Sequence, residues 1–216
     1  MRFILLTLAL FFALSTSAFS QESVKLLYNS RNFQIYHIIE DHFDMVHFEG
    51  TMDTMSSLFL FTALEYTETK YLSMNSVGGY MQESYILGSF LKSNPQITFV
   101  VRNDNVCMSA CAFAALSSNK LMIGKNGLDF HTPYIPYVES SETLSNFSVE
   151  SQVSLLELMI YLNESGYGID LLDLLLKETD SRTFATFYTT DDLYHLKVEN
   201  FFDRIDSTFN YEITTR

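Results

Sequence analysis

The chain has 216 residues, 47% of them hydrophobic and 15% aromatic, with only 8 glycines and 3 prolines. That composition folds into a packed globule and excludes a disordered or low-complexity chain. The formal net charge of −13, carried by scattered acids, reads as a solvated surface and excludes nucleic acid as a partner, because a phosphate backbone would be repelled.

The first residues read as an address. Arg2 is a short positive region, residues 3–14 form an apolar run, and Ser15-Thr-Ser-Ala-Phe-Ser20 offers small residues where a signal peptidase reads, with Ala18 and Ser20 flanking Phe19. The expectation is a cleavable secretory signal over residues 1–20, cut before Gln21, and a periplasmic or secreted mature chain. The run is too short to span a bilayer, which takes about 20 apolar residues, so no stable membrane anchor is expected after cleavage. Residues 21–216 suit one domain with a full core: an N-terminal arm over 21–44, a core over 45–198 and a tail over 199–216.

In chain order, strands are expected near residues 24–27 and 33–38, and again at Met45-Val-His-Phe-Glu49, which ends at Gly50. Residues 51–67 read as a helix apolar on most sides, hence buried. A short strand at Tyr71-Leu-Ser-Met74 runs into the turn Asn75-Ser-Val-Gly-Gly79. A helix follows over 80–91, with Ile86, Leu87, Phe90 and Leu91 on one face, broken by Asn94-Pro95. Ile97-Thr-Phe-Val-Val101 is a β-branched strand. A small-residue helix follows Val106-Cys-Met-Ser-Ala-Cys111, and strands are expected at Lys120-Leu-Met-Ile123 and Leu128-Asp-Phe130.

A loop rich in Pro, Tyr and Ser extends through Ser145, and its Tyr134 to Tyr137 stretch could line a substrate groove or be loop packing. A helix then carries Val149, Val153, Leu156 and Ile160 at helical spacing and ends at Gly166; residues 169–176 form a second helical piece. Thr189-Thr-Asp-Asp192 caps a short helix through Leu196, and the tail from Asn200 reads as an edge strand or extended arm. Strands alternating with helices of this length mean βαβ units: an α/β fold with a largely parallel sheet flanked by helices.

On that frame the turns after the strands converge at the carboxyl ends of the sheet, where ligands bind in open α/β folds. Gly78 and Gly79 expose backbone N–H groups that no side chain blocks. Ser109 opens a helix, where the free N–H of Ala110 and the helix dipole favour a developing oxyanion. His131 ends the strand after that helix and is the residue type that takes a proton from serine at neutral pH. Alone, Ser109 would be an ordinary N-cap and His131 an ordinary turn residue. Their order, with Gly78-Gly79 upstream, is that of a nucleophile, a base and an oxyanion hole. Lys120 and Lys125 offer a Ser-Lys alternative, and the His-Thr-Pro context makes His131 the better base. His37, His42, His47 and His195 show no partner pattern and read as surface or partly buried.

The only two cysteines, Cys107 and Cys111, bracket Ser109. Secretion favours pairing, and one regular helical turn apart their geometry is marginal unless Cys107 precedes the helix. A disulfide clamping the serine turn and two buried thiols packing a tight helix start both fit the sequence. No further ligand pair has zinc spacing, so no metal and no cofactor is expected.

These motifs together resemble the Clp protease proteolytic subunit and its crotonase-like superfamily. Asn75-Ser-Val-Gly-Gly79 looks like that family's Asn-Ser-Pro-Gly-Gly turn, with Val77 in place of the proline. Cys107-Met-Ser-Ala-Cys111 looks like its nucleophile turn, and Phe130-His-Thr-Pro133 like its His-Gln-Pro segment. Phe187-Tyr-Thr-Thr-Asp-Asp-Leu-Tyr-His-Leu196 resembles the segment that closes its domain. The serine flanked by cysteines is similar in particular to a secreted bacterial group of Clp/crotonase-like proteins. The resemblance covers residues 45–198 and implies a spiral of ββα units.

It also implies Ser109 as nucleophile, His131 as general base, and the amides of Gly79 and Ala110 as oxyanion hole, with Gly78 shaping the turn. Counting back from Phe187 to the family's acid lands on Ser181, one residue after Asp180, the candidate to orient His131. Asp129 lies too near His131 in sequence to reach round. The implied activity is a serine hydrolase of peptidase type acting on peptides or unfolded chains, and the implied assembly a homo-oligomer. The other reading of the same residues is a catalytically inactive binding or assembly module. Acyl-CoA chemistry, found in the crotonase branch, is disfavoured outside the cytoplasm.

Overall fold

The computed structural model describes residues 23–40, 43–131, 149–179, 183–187 and 197–200. The expected signal sequence, the loop after His131, Asp180 and the capped segment 189–196 lie outside the described residues.

A six-stranded sheet forms the frame, in the order β1 (Ser23–Asn29), β2 (Phe33–Glu40), β3 (Phe43–Gly50), β4 (Tyr71–Asn75), β5 (Thr98–Val101) and β6 (Lys120–Ile123). The parallel pairing expected of βαβ units holds from β3 to β6. The crossovers are α1 (Ser56–Thr67), α2 (Met81–Ser93) and α3 (Ala110–Leu116). β1 and β2 instead add an antiparallel hairpin to the edge, so the sheet is mixed. The connection between them is too short for a crossover, so only an antiparallel return is open to it. Residues 23–40, read from sequence as an arm, thereby supply Phe33 and Ile35 to the core.

Period-two alternation selects the face that packs on the helices. Ile35, Phe48 and Met74 lie in register across β2, β3 and β4, all fully buried. They meet Leu60 and Leu64 of α1 and Leu87 and Leu91 of α2 in one cluster. α1 begins at Ser56 rather than at residue 51, and it is not buried all round: Leu58 and Tyr66 are exposed. Its start is held by the neighbouring helix. The Glu83 carboxylate accepts from Met55 N (3.1 Å), Ser57 N (2.9 Å) and Ser56 Oγ (3.3 Å), taking up N–H groups that would otherwise be orphaned.

A second, three-stranded antiparallel sheet comprises β7 (Leu128–Phe130), β8 (Thr183–Phe187) and β9 (Lys197–Asn200). α3 packs against α2 and against β7 of this second sheet. All seven of its residues are buried, which its alanines allow, and Phe113 meets Phe130 edge-on at 5.2 Å between ring centroids. α4 (Val149–Glu164) and α5 (Gly168–Glu178) complete the described elements. α4 corrects the sequence reading. Its core residues are Leu158, Tyr161 and Leu162, while the stripe of Val153, Leu156 and Ile160 is exposed among the described residues. Tyr161 decides that orientation. Its hydroxyl donates to Phe113 O (2.7 Å) and accepts from Ser117 Oγ (2.9 Å), and its ring fits only because residue 88 of α2 has no side chain.

Candidate active site

Backbone hydrogen bonds deliver Ser109 to one place. The segment Val106–Met108 runs between the two sheets and is bonded on both sides. On one side Ser76 N donates to Val106 O (2.8 Å) and Met108 N to Ser76 O (2.9 Å), while Asn75 Oδ1 accepts from Val106 N (3.1 Å). On the other, Asp129 N donates to Cys107 O (3.0 Å) and Ser109 N to Asp129 O (2.7 Å). The glycine turn and the β7 strand therefore flank the serine segment. Val77, where the resembled family has proline, packs against Val106 and Met108.

Ser109 has φ 51° and ψ −122°. Three non-glycine residues have positive φ among those described. Met55 and Glu68 are ordinary left-handed residues at helix ends, whereas the ψ of Ser109 puts it outside that basin. A side chain in so sparsely populated a region marks a place where surrounding structure over-determines the backbone, and such places cluster at functional sites. The sharp turn from strand to helix is the geometry that lifts a nucleophilic serine out of its surroundings. Met108 and Ala110 are fully buried, yet Ser109 between them is partly accessible. Its hydroxyl makes no capping hydrogen bond to α3. The ordinary N-cap role is therefore unfilled.

Gly78 and Gly79 are at φ 95° and 148°. A Cβ on Gly78 would stand 2.6 Å from Met108 O, 2.7 Å from Ser109 Cβ and 2.9 Å from Ala110 N; one on Gly79 would stand 2.1 Å from Met52 O. Glycine is required at both positions, and the glycine turn touches the serine turn. Met52 N donates to Gly78 O and Tyr80 N to Met52 O, which locks the peptides around Gly79. No described backbone acceptor takes the N–H of Gly79 or of Ala110. The amide that follows Ser109 and the amide that follows Gly78, the glycine in contact with Ser109, are thus left over among the described residues, as an oxyanion hole requires. α3 has seven residues, so the amides rather than a helix dipole carry this feature.

His131 follows β7 and is buried, at 8% exposure. It lies two residues beyond the carbonyl that receives Ser109 N. No Ser109–His131 hydrogen bond is present among the described residues. Asp129 Oδ1 accepts from Thr186 Oγ1 at 2.7 Å. Lys120 and Lys125 are exposed, and Lys125 pairs with Asp104 at 3.7 Å. Cys107 and Cys111 form a disulfide, with Cα atoms 5.2 Å apart. Cys107 does precede the helix, as pairing requires.

Sequence reasoning missed a second serine–histidine pair. His47 Nδ1 lies 3.0 Å from Ser73 Oγ, and Asn105 Nδ2 donates to the same oxygen at 3.4 Å. Burial, and then the nearby Arg102 charge, push His47 down to about 4, so the ring is neutral. His47 and Ser73 are in register on neighbouring strands, which only the sheet pairing reveals. His37 likewise pairs with Asp44 at 2.6 Å. Among the described residues no group of His, Cys, Asp and Glu could hold a metal, and no helix is long and apolar enough to cross a membrane.

No family model and no curated protein sequence matches the chain. Solved structures similar to it include a mutant of the membrane-bound stomatin-specific protease 1510-N, at 13% identity and a TM-score of 0.38 over 56% of this chain and 62% of that one. An enoyl-CoA hydratase of Geobacillus kaustophilus is similar at 11% identity and 0.42, over 80% of this chain and 68% of that one. Methylmalonyl-CoA decarboxylase is similar at 9% and 0.36, over 86% and 92%. The chain spans under two thirds of the protease's length. None of these similarities bears on the activity of this chain.

Proposed function

We propose that this chain is a secreted or periplasmic serine hydrolase of peptidase type on a Clp/crotonase-like frame. The observation that carries the reading is the conformation of Ser109, strained at φ 51° and ψ −122°, with its hydroxyl unspent by the helix it opens. In the reaction, Ser109 Oγ attacks the substrate carbonyl and His131 takes its proton. The amides of Gly79 and Ala110 hold the oxyanion, and His131 then returns the proton to the leaving amine. Water repeats the cycle to release the acyl group. Asp180 is the candidate to orient His131. Peptides or unfolded chains are the substrate class, and a homo-oligomer the working state. The disulfide fits an oxidising compartment.

The test is fluorophosphonate labelling of the folded mature protein, read by intact mass and peptide mapping. Ser109 is expected to carry the label, and Ser109→Ala and His131→Ala each to abolish it. Absence of label on folded wild-type protein would sink the hydrolase reading. A second reading, an inactive binding or assembly module, draws on one observation: no hydrogen bond joins Ser109 to His131 among the described residues. Catalytic hydrogen bonds often tighten only when substrate binds, so the hydrolase reading stands first.

A further inference from the structure

We propose that the Cys107–Cys111 disulfide is the positioning device of the nucleophile: it holds Ser109 in its strained conformation, so that the hydroxyl is fully reactive only in the oxidised chain. The proposal rests on the hydrolase reading and adds to it how the site is kept competent. Each end of the bridge is anchored independently. Cys107 is fixed in the segment between the sheets, where its carbonyl accepts from Asp129 N, and Cys111 sits in the first turn of α3, its N–H donating to Met108 O at 3.0 Å. Their Cα atoms are 5.2 Å apart. A regular helical turn would hold them about 6 Å apart. The chain between them must reverse sharply within three residues, and the reversal falls on Ser109.

Glycine would adopt that backbone without strain, but the chemistry needs a hydroxyl. A covalent tie between the neighbours of the strained residue offsets the difference. Both cysteines are wholly buried in the same core cluster as the alanines of α3, where two separate thiols need more room than a bonded pair. Opening the bridge therefore pushes apart the two segments that define the turn.

Three forms test this: the oxidised chain, the chain reduced with dithiothreitol, and Cys107→Ala/Cys111→Ala. The reductant gives two electrons and two protons to the disulfide, leaving two thiols and a cyclic disulfide. Two readouts are taken: the rate of fluorophosphonate labelling, and the φ of Ser109 from backbone chemical shifts and the HN–Hα coupling. Leu60→Ala, on the buried side of α1, serves as a control destabilised without touching the turn. Reduced and double-alanine chains are expected to label roughly tenfold or more slowly, the factor such a conformation loses when nothing holds it. Ser109 moves to negative φ, reoxidation restores the rate, and Leu60→Ala labels at the wild-type rate. A Ser109 that keeps positive φ, or labels at the wild-type rate without the bridge, overturns the proposal. If even the oxidised wild type takes no label, the hydrolase reading fails instead, and the φ readout alone decides this proposal.

Discussion

Ser73 and Ser109 differ in every respect that matters to a nucleophile. Ser73 lies in the middle of β4, fully buried, in relaxed extended backbone, with its oxygen engaged by His47 and Asn105. Ser109 lies at a forced turn, partly accessible, with no cap to its helix and, nearby, two amides that no described backbone acceptor takes. Proximity to a ring nitrogen does not make a nucleophile. An unspent hydroxyl, access, and a place for the developing negative charge do.

The sharpest way to break this comparison is to exchange the roles by substitution. Ser109→Ala is expected to remove fluorophosphonate labelling completely, while Ser73→Ala leaves Ser109 labelled and costs about 1–2 kcal/mol in chemical denaturation. Label mapped to Ser73 would reverse the assignment. Gly78→Ala strikes the contact between the two turns: a Cβ there collides with backbone at Met108 and Ala110. Labelling is expected to vanish, with a stability loss of about 3 kcal/mol or more.

Glu83→Ala acts one layer further out, on the carboxylate that caps α1 beside the Met52–Gly78 ladder. Leaving its donors unpaired is expected to lower stability by roughly 2–4 kcal/mol in urea titration. The histidine of the relaxed pair sets a pH dependence. His47 has a folded value of about 4 against about 6.5 in the unfolded chain, so between those values only the unfolded chain binds the proton. Its contribution is fully present above pH 6.5 and is lost as pH falls toward 4, by roughly 2–3 kcal/mol. His47→Gln is expected to flatten that part of the stability profile. The smallest effect is expected for Tyr161→Phe, which removes one bond to Phe113 O and one from Ser117, at about 1 kcal/mol in the melting transition.

Much of the frame was legible because it rests on local pattern. The β-branched run ending at Val101 and the glycine pair at 78–79 announce a strand and a turn without reference to anything distant. β8 could have been read from the alternation in Thr183-Phe-Ala-Thr-Phe187, but it pairs with β7 across a long stretch of chain, and pairing of that range leaves no local mark. The α4 stripe misled for a related reason. Val153, Leu156 and Ile160 have helical spacing, yet the core side of the helix is chosen by Tyr161 reaching Phe113 and Ser117.

Sequence by itself determined the α/β class, most element positions, and which serine, glycines, histidine and cysteines are chemically notable, because periodicity and residue chemistry are local properties. Tertiary structure alone decided that the N-terminal hairpin joins the sheet, that Cys107 and Cys111 pair, and that Ser73 is paired with His47. It also decided that Ser109 is strained with its hydroxyl left over by the helix it opens. Each of these depends on which backbone groups meet across the fold, and a hydrogen bond or a forced φ exists only once both sides are in place.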